Sequence, residues 1–427
     1  MKIAIVGAGW AGLAAATTAA HSGHQITVFE AAQTLGGRAR ALPCRLPDGS
    51  SIWVDNGQHI LIGAYSQTLR LMQLVGMDIE TSMLRLPLTL QFADGSGLRL
   101  PRWPAPLDAA AGIVFARGWS LADKWSLIRA ALAWQWRGFV CPATATVAAL
   151  CSGISARVMA SLIEPLCVSA LNTPAERASG QVFLRVLQDS LFGGRGSSNL
   201  LLPRTDLTQL FPQAAAHWVQ QRGGMVRTGA RVDSITHTAK GWVVEGEEFD
   251  AVVWATASSV AAQVLGASAD SMPPALATAL RLWAASAQSL RYEAIATVYA
   301  YAAQTRLTQP MLALHSNAEQ PAQFVFDRGQ LGGPAGLLAF VVSASTAERA
   351  VLQAQVLAQA KQQLGITVQA LQTVVEKRAT FACTPALQRP MAHIAPGLVA
   401  CGDYVDGPYP ATLEGAVRSG IQAVEAL

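Results

Sequence analysis

The chain of 427 residues is 51% hydrophobic and only 14% charged, with a formal net charge of +4; its mean hydropathy is +0.30. A soluble domain carries roughly 25% charged residues, so the deficit points to a large buried area, an apolar ligand or a membrane surface, and the slight, scattered charge gives no basis for a nucleic-acid partner. No apolar run approaches the ~20 residues that span a bilayer, and the first residues read as a strand and not as a cleavable signal, so the expected location is the cytoplasm.

The first thirty residues, MKIAIVGAGWAGLAAATTAAHSGHQITVFE, are the most informative. An apolar strand runs into Gly7-Ala8-Gly9-Trp10-Ala11-Gly12, an alanine-rich helix follows, and a second strand over 25–29 ends on Glu30. Gly7 permits a tight strand-to-helix turn, Gly9 lets the backbone approach a pyrophosphate, and Gly12 lets the helix pack on the strand. The helix start, with Ala11 in its first turn, offers free N–H groups to phosphate. Glu30 is placed to accept hydrogen bonds from a ribose. These parts in register predict a dinucleotide-binding unit. The turn Gly36-Gly37-Arg38-Ala39-Arg40 then offers backbone N–H groups and a permanent cation, suited to a second contact on the pyrophosphate of a long dinucleotide.

Residues 54–65, VDNGQHILIGAY, crowd Asp55, Asn56, Gln58 and His59 ahead of an apolar run. By residue type this is either a site or a polar turn before a buried strand. Residues 101–139 hold five of the eleven tryptophans, interleaved with Arg102, Arg117, Lys124, Arg129 and Arg137. Apolar residues at Leu121, Trp125, Ile128 and Leu132 predict a helix over much of 120–139. It is either an interfacial helix in a lipid headgroup region or a helical cap with its tryptophans in the core.

Further on, 222–256 reads as a helix end, a strand through Val226, a strand over 232–235, a hairpin at Lys240-Gly241 and a buried strand over 251–255. Alternating runs in 290–345 predict a mostly antiparallel sheet, followed by a helix over 346–364 and a strand near 371–377. A last strand, 398–401, delivers Gly402-Asp403, and a Gly/Pro loop leads to a helix capped by Thr412, with the Leu413 N–H facing outward. The six cysteines (Cys44, Cys141, Cys151, Cys167, Cys383, Cys401) show no CxxC spacing and none stands beside a histidine at a zinc-ligand interval, so no metal site is expected.

The glycine fingerprint, the GGRAR turn and the C-terminal GDYVDGPYPATLEGAVRSG together resemble the amine-oxidase and carotenoid-desaturase superfamily of FAD proteins. With GQHILIGAY and its following helix, the resemblance is closest to the squalene-associated FAD-dependent desaturases, also called hydroxysqualene dehydroxylases. It implies an α/β fold: a Rossmann-type FAD-binding domain assembled from 1–80, 196–258 and 388–427. An α+β substrate domain of 81–195 and 259–387, an antiparallel sheet with a helical insert, completes it, and 101–139 is a candidate membrane-contact segment. It further implies Val232 near adenine, Asp403 at the ribityl chain, and Gly57 and Gln58 beside the reactive edge of the flavin. His59, alternatively a satisfied core histidine, and Tyr409 are candidate proton donors. The implied activity is conversion of hydroxysqualene to squalene on reduced flavin, on the inner face of the cytoplasmic membrane and alongside pathway enzymes. Rival readings are a carotenoid-type desaturase, an amine oxidase and a non-enzymatic flavin- or lipid-carrying module.

Overall fold

Strands from both ends of the chain meet in one six-stranded sheet. The computed structural model describes residues 1–104 and 106–427, so one residue of the 101–139 segment lies outside the described residues. The sheet order is Met225–Thr228, Gln25–Glu30, Lys2–Val6, Ala251–Trp254, Leu398–Ala400, His393–Ala395. The first five strands run parallel and the last antiparallel. The central strands are short apolar runs with both faces covered, as parallel sheets require. Period-two alternation divides their side chains between two cores. Ile3, Ile5 and Val253 enter the core that holds the Trp10–His21 helix; Ala4, Val6, Val252 and Trp254 enter the other.

The helices Trp10–His21 and Leu413–Glu425 pack against each other over small residues. A side chain at Gly420 would overlap the Ala11 carbonyl oxygen and come within 3.0 Å of the Ala15 nitrogen. The first and last elements of the nucleotide-binding unit are thereby locked together.

A second sheet of five antiparallel strands forms a roof, ordered Met311–Ala313, Phe324–Asp327, Leu337–Ser343, Tyr292–Tyr301, Gln369–Phe381. The sheet expected over 290–345 is present, and the strand expected near 371–377 is a thirteen-residue strand that joins it. The helix Arg349–Leu364 covers one face, burying Leu352 and Val356 against Val298, Phe340 and Val342. The opposite face looks toward the parallel sheet. A helical block that includes Leu107–Phe115, Leu121–Trp136, a π-helical turn Met159–Ile163 and Glu164–Leu171 adjoins the roof, where Asn172 Nδ2 donates to Thr380 Oγ1 at 3.0 Å.

One expectation is corrected. The strand expected over 232–235 begins only at Ile235. Upstream, Gly229 N–H donates to Ala32 O (3.0 Å) and Ala230 N–H to Glu30 O (2.8 Å), so this backbone is drawn alongside the segment after Glu30 and leaves the hairpin ladder. The apolar run after the polar cluster supplies only a two-residue strand, Leu61–Ile62, paired with Leu200 and Leu201. Among the described residues no helix is long and apolar enough to cross a membrane.

Because Gly420 sits where the two helices touch, Gly420→Ala should destabilise the protein by about 1–3 kcal/mol, read as a lowered urea midpoint with an unchanged slope. An unaltered midpoint would show that this contact yields without strain.

Candidate active site

Strand register brings four chain segments to one edge. Val6 pairs with Phe29 and Trp254, and Trp254 with Ala400, so all four strands end level with one another. Their following residues line a cavity of about 560 Å³: Gly7 and Gly9, Glu30, 255–257, and Gly402 with Asp403. Ligands of open α/β sheets bind in such a crevice at the carboxyl ends of the strands.

Gly7 has φ +111°, and a side chain there would meet the Ala255 carbonyl oxygen at 2.8 Å. A side chain at Gly9 would find only Gly37 Cα, at 3.9 Å, so the missing atoms leave space in the cradle. Ala11 and Gly37 line the same space. Gly12 does not line it: it lies beneath, where any side chain would overlap the Gly7 carbonyl oxygen. Glu30 accepts hydrogen bonds from Ala8 N–H at Oε2 (2.7 Å) and from Ala32 N–H at Oε1 (2.8 Å). The carboxylate is thus fixed through both oxygens, and each keeps lone-pair capacity for a ribose hydroxyl. Val232 lines the same end of the cavity with Ala230, Arg231 and Asp233.

Arg38 lines the cavity, and protein groups also hold its cation. Its guanidinium forms an ion pair with Asp403 and donates to the carbonyl oxygens of Ala379 (2.5 Å) and Arg378 (3.3 Å). Burial lowers its proton affinity, but the Asp403 charge and hydrogen bond outweigh that, and the net shift is upward. Two residues assigned to separate parts of a cofactor are therefore partners.

The polar cluster divides in two. Asp55 is buried and structural: its Oδ1 accepts from Leu207 N–H (2.8 Å) and its carbonyl oxygen from the Tyr299 hydroxyl (2.8 Å). Burial raises its carboxyl to about 6, although Arg328 and the Leu207 N–H oppose the shift. Asn56, Gly57, Gln58 and His59 line the cavity. The His59 Nδ1–H donates to the Gly57 carbonyl oxygen at 2.6 Å, which leaves Nε2 as the acceptor of the neutral ring. Burial pulls the His59 pKa below its ordinary value, with Arg38 adding to the effect against the Gly57 hydrogen bond.

The roof contributes what the local motifs do not contain. Ile295, Phe324, Phe326 and Val341 give an apolar wall, while Asn172 and Glu376 add polar groups. Glu376 Oε2 accepts from Asn56 Nδ2 at 3.2 Å. These residues lie more than a hundred positions from the fingerprint and reach it only through tertiary folding, so no local pattern marks them.

At the last helix, Thr412 Oγ1 accepts from Gly415 N–H (2.9 Å), and Leu413 lines the cavity. Glu414, fully buried, accepts from the N–H groups of Gln67 (3.1 Å) and Thr68 (2.9 Å) and from the Thr68 hydroxyl (2.7 Å). The helix start is therefore fixed with its N–H groups at the cavity. Tyr409 is a correction: it is not among the lining residues. Its left-handed φ of +60° carries the ring to the guanidinium groups of Arg418 (4.9 Å) and Arg185 (5.7 Å). Tyr404, passed over in the sequence, lines the cavity instead, and its buried hydroxyl has no partner. The Thr297 hydroxyl, 3.9 Å from where a Gly57 side chain would begin, is likewise buried and unpartnered. A bound group with a polar edge would meet the Tyr404 hydroxyl at the cavity.

The pattern of the flavin-containing amine oxidoreductases matches residues 10–427. The chain belongs to that family. It is 27% identical to a hydroxysqualene dehydroxylase of Rhodopseudomonas palustris, over 99% of this chain and 97% of the relative. It is 23% identical, over the same shares, to another of Sinorhizobium fredii. A 15-cis-phytoene desaturase of Synechococcus elongatus is 32% identical, over only 27% of this chain and 24% of its own. An oxidoreductase of Methanosarcina mazei shares the fold along the whole of both chains, with a TM-score of 0.75 at 16% identity. The protein is an FAD-dependent oxidoreductase, and the cavity fits that cofactor: a glycine cradle, a carboxylate at one end and a helix start at the other.

Glu30→Gln replaces an acceptor by an amide N–H₂ against a backbone N–H, so it should weaken FAD retention at least about tenfold, seen as loss of yellow colour on gel filtration. Full retention would remove Glu30 from the cofactor site. Folding raises the Asp55 pKa from 3.8 to about 6. The folded state then holds that proton more tightly, so the contribution is complete below pH 4 and lost as pH rises through 6, a loss of about 3 kcal/mol. Asp55→Asn cannot ionise and should flatten this segment of the stability profile measured by urea unfolding; identical profiles would show that Asp55 does not titrate there.

Proposed function

We propose that this enzyme converts hydroxysqualene to squalene. The observation that carries the reading is the apolar roof of Ile295, Phe324, Phe326 and Val341 facing a cofactor cradle in which His59 is the one imidazole. A hydrocarbon chain fits such a wall, and little polar recognition is needed beyond the reacting carbon. Similarity to two dehydroxylases along nearly the whole chain supports the same choice.

In the net reaction the allylic C–O bond breaks, the hydroxyl leaves with one proton as water, and the allylic carbon takes a hydride with its electron pair. The glycine cradle, Glu30 and the Leu413 helix start would hold FAD, which in its reduced form would supply that hydride. The chain does the rest. The apolar wall holds the polyene and excludes water, so the allylic cation developing as the C–O bond breaks is not captured by solvent. His59, anchored through Nδ1–H on the Gly57 carbonyl, takes up a proton at Nε2 and hands it to the departing hydroxyl. Burial destabilises the imidazolium and so makes it a strong acid toward that oxygen. Thr412 and the Leu413 helix start hold positive N–H dipoles at the cavity, where they favour an anionic cofactor ring. The substrate carries a long hydrocarbon chain of low water solubility, which supports a reaction at the surface of the cytoplasmic membrane.

The test is a single anaerobic turnover: reduce the bound flavin chemically, add hydroxysqualene in detergent, and follow flavin oxidation with squalene by mass spectrometry. Stoichiometric squalene is expected. No squalene, with bleaching of the oxidised enzyme by a C30 or C40 polyene, would assign desaturation instead. His59→Phe should cost about 10²–10⁴ in turnover rate with flavin absorbance unchanged. In the unaltered enzyme kcat/KM should fall as pH rises through a pKa below 6.5, because the protonated ring is the donor. A rate indifferent to both would remove His59 from the chemistry.

A further inference from the structure

The Leu121–Trp136 helix has two apolar faces, and the fold uses one of them. At roughly 100° per residue, Asp123, Leu127 and Trp134 fall within an arc of about 40° and are buried. Leu121, Trp125, Leu132 and Trp136 fall on the opposite side within about 60°, and they are 86%, 63%, 57% and 88% exposed. The adjoining Leu107–Phe115 helix turns Leu107 and Phe115 outward as well. More than half of the large apolar side chains exposed on the described surface lie within residues 103–140. A concentration of this kind marks a surface that something covers.

Charge says what covers it. Residues 101–163 contain two acidic side chains, Asp108 and Asp123, and both are buried. Asp123 is consumed by the capping box with Ser120. Arg102, Arg117, Arg129 and Arg137 are exposed on the same block, and Lys124 and Arg129 lie on either side of the apolar stripe, about 60° and 80° from Leu121. A second copy of this chain would set cations against cations. Apolar and aromatic side chains flanked by lysine and arginine, without acids, match the acyl boundary and headgroups of an anionic lipid bilayer.

The face is also connected to the cavity. Trp119 Nε1–H, just before the Leu121–Trp136 helix, donates to Ser161 Oγ at 3.0 Å. Ser161 lies in the π-helical turn Met159–Ile163, which runs directly into Glu164–Leu171. That helix and its end carry Ser169, Ala170 and Asn172 to the cavity. We propose that the paired helices Leu107–Phe115 and Leu121–Trp136 seat the enzyme on an anionic bilayer, with the apolar stripe in the acyl boundary and the active site behind it. The inference extends the substrate reading by naming the lipid partner of that site, and it stands on the surface alone.

The experiment is vesicle flotation of the full chain with FAD bound, using phosphatidylglycerol–phosphatidylcholine vesicles and phosphatidylcholine vesicles. Flotation with the anionic vesicles, reduced by high salt, is expected. Leu121→Asp combined with Trp125→Asp should weaken it at least about tenfold, and Arg129→Glu with Arg137→Glu should weaken it on anionic vesicles alone. All four positions are exposed, so retained flavin absorbance and melting temperature show that the variants fold. Absence of flotation, or equal flotation of all forms, would overturn the proposal. So would a dimer of the unaltered chain that Leu121→Asp with Trp125→Asp converts to monomer, since the face would then belong to a second copy. No arm uses hydroxysqualene, so failure of the substrate reading leaves this result standing, and the reverse.

Discussion

The Arg38–Asp403 ion pair is the contact on which the active site depends. Arg38 follows the second glycine turn, Asp403 follows the last strand of the parallel sheet, and the carbonyls that Arg38 also engages, Ala379 and Arg378, belong to a roof strand. Three regions far apart in the chain are thus held by one guanidinium. The pair is partly withdrawn from water, where a lone charge is costly and a matched one is not. Its geometry fixes how far the roof stands from the cradle, and hence the space between them.

What the sequence made legible follows the range of the interactions involved. The glycine turn, its helix and Glu30 are written into thirty consecutive residues, because strand, turn and cap are local and the residue types are dictated by backbone geometry. The Thr412 cap is readable for the same reason. The roof was readable as a sheet over the cofactor, but not which of its residues face the cavity. Phe324, Phe326 and Val341 alternate with residues that bury under the Arg349–Leu364 helix, and period-two patterning does not tell one buried face from another. Glu376 and Asn172 gave no signal, since each enters the cavity through pairing with a distant strand or loop.

The failures have physical reasons too. Tyr409 stands next to the helix start in sequence, yet a left-handed backbone turns it toward Arg185 and Arg418, while Tyr404, five residues earlier, reaches the cavity. The Arg38 ion pair gave no signal because Asp403 is hundreds of residues away. The Leu121–Trp136 helix shows the limit of periodicity from the other side. Its apolar spacing predicted the helix, but the stripe that carried the prediction is the exposed one, and the buried face holds an aspartate.

The parallel sheet carries a consequence for synthesis. Its third and fifth strands in spatial order, Lys2–Val6 and Leu398–Ala400, come from opposite ends of the chain, and the helix beginning at Leu413 closes the cavity. A ribosome therefore extrudes the phosphate cradle first and the residues that complete the pocket some four hundred residues later. Throughout that interval the nascent chain exposes edges of an unfinished sheet and holds half a binding site. Flavin can be locked in place only once the Leu413–Glu425 helix has emerged, so the cofactor acts as a late clasp on this sheet and not as a template around which it is built.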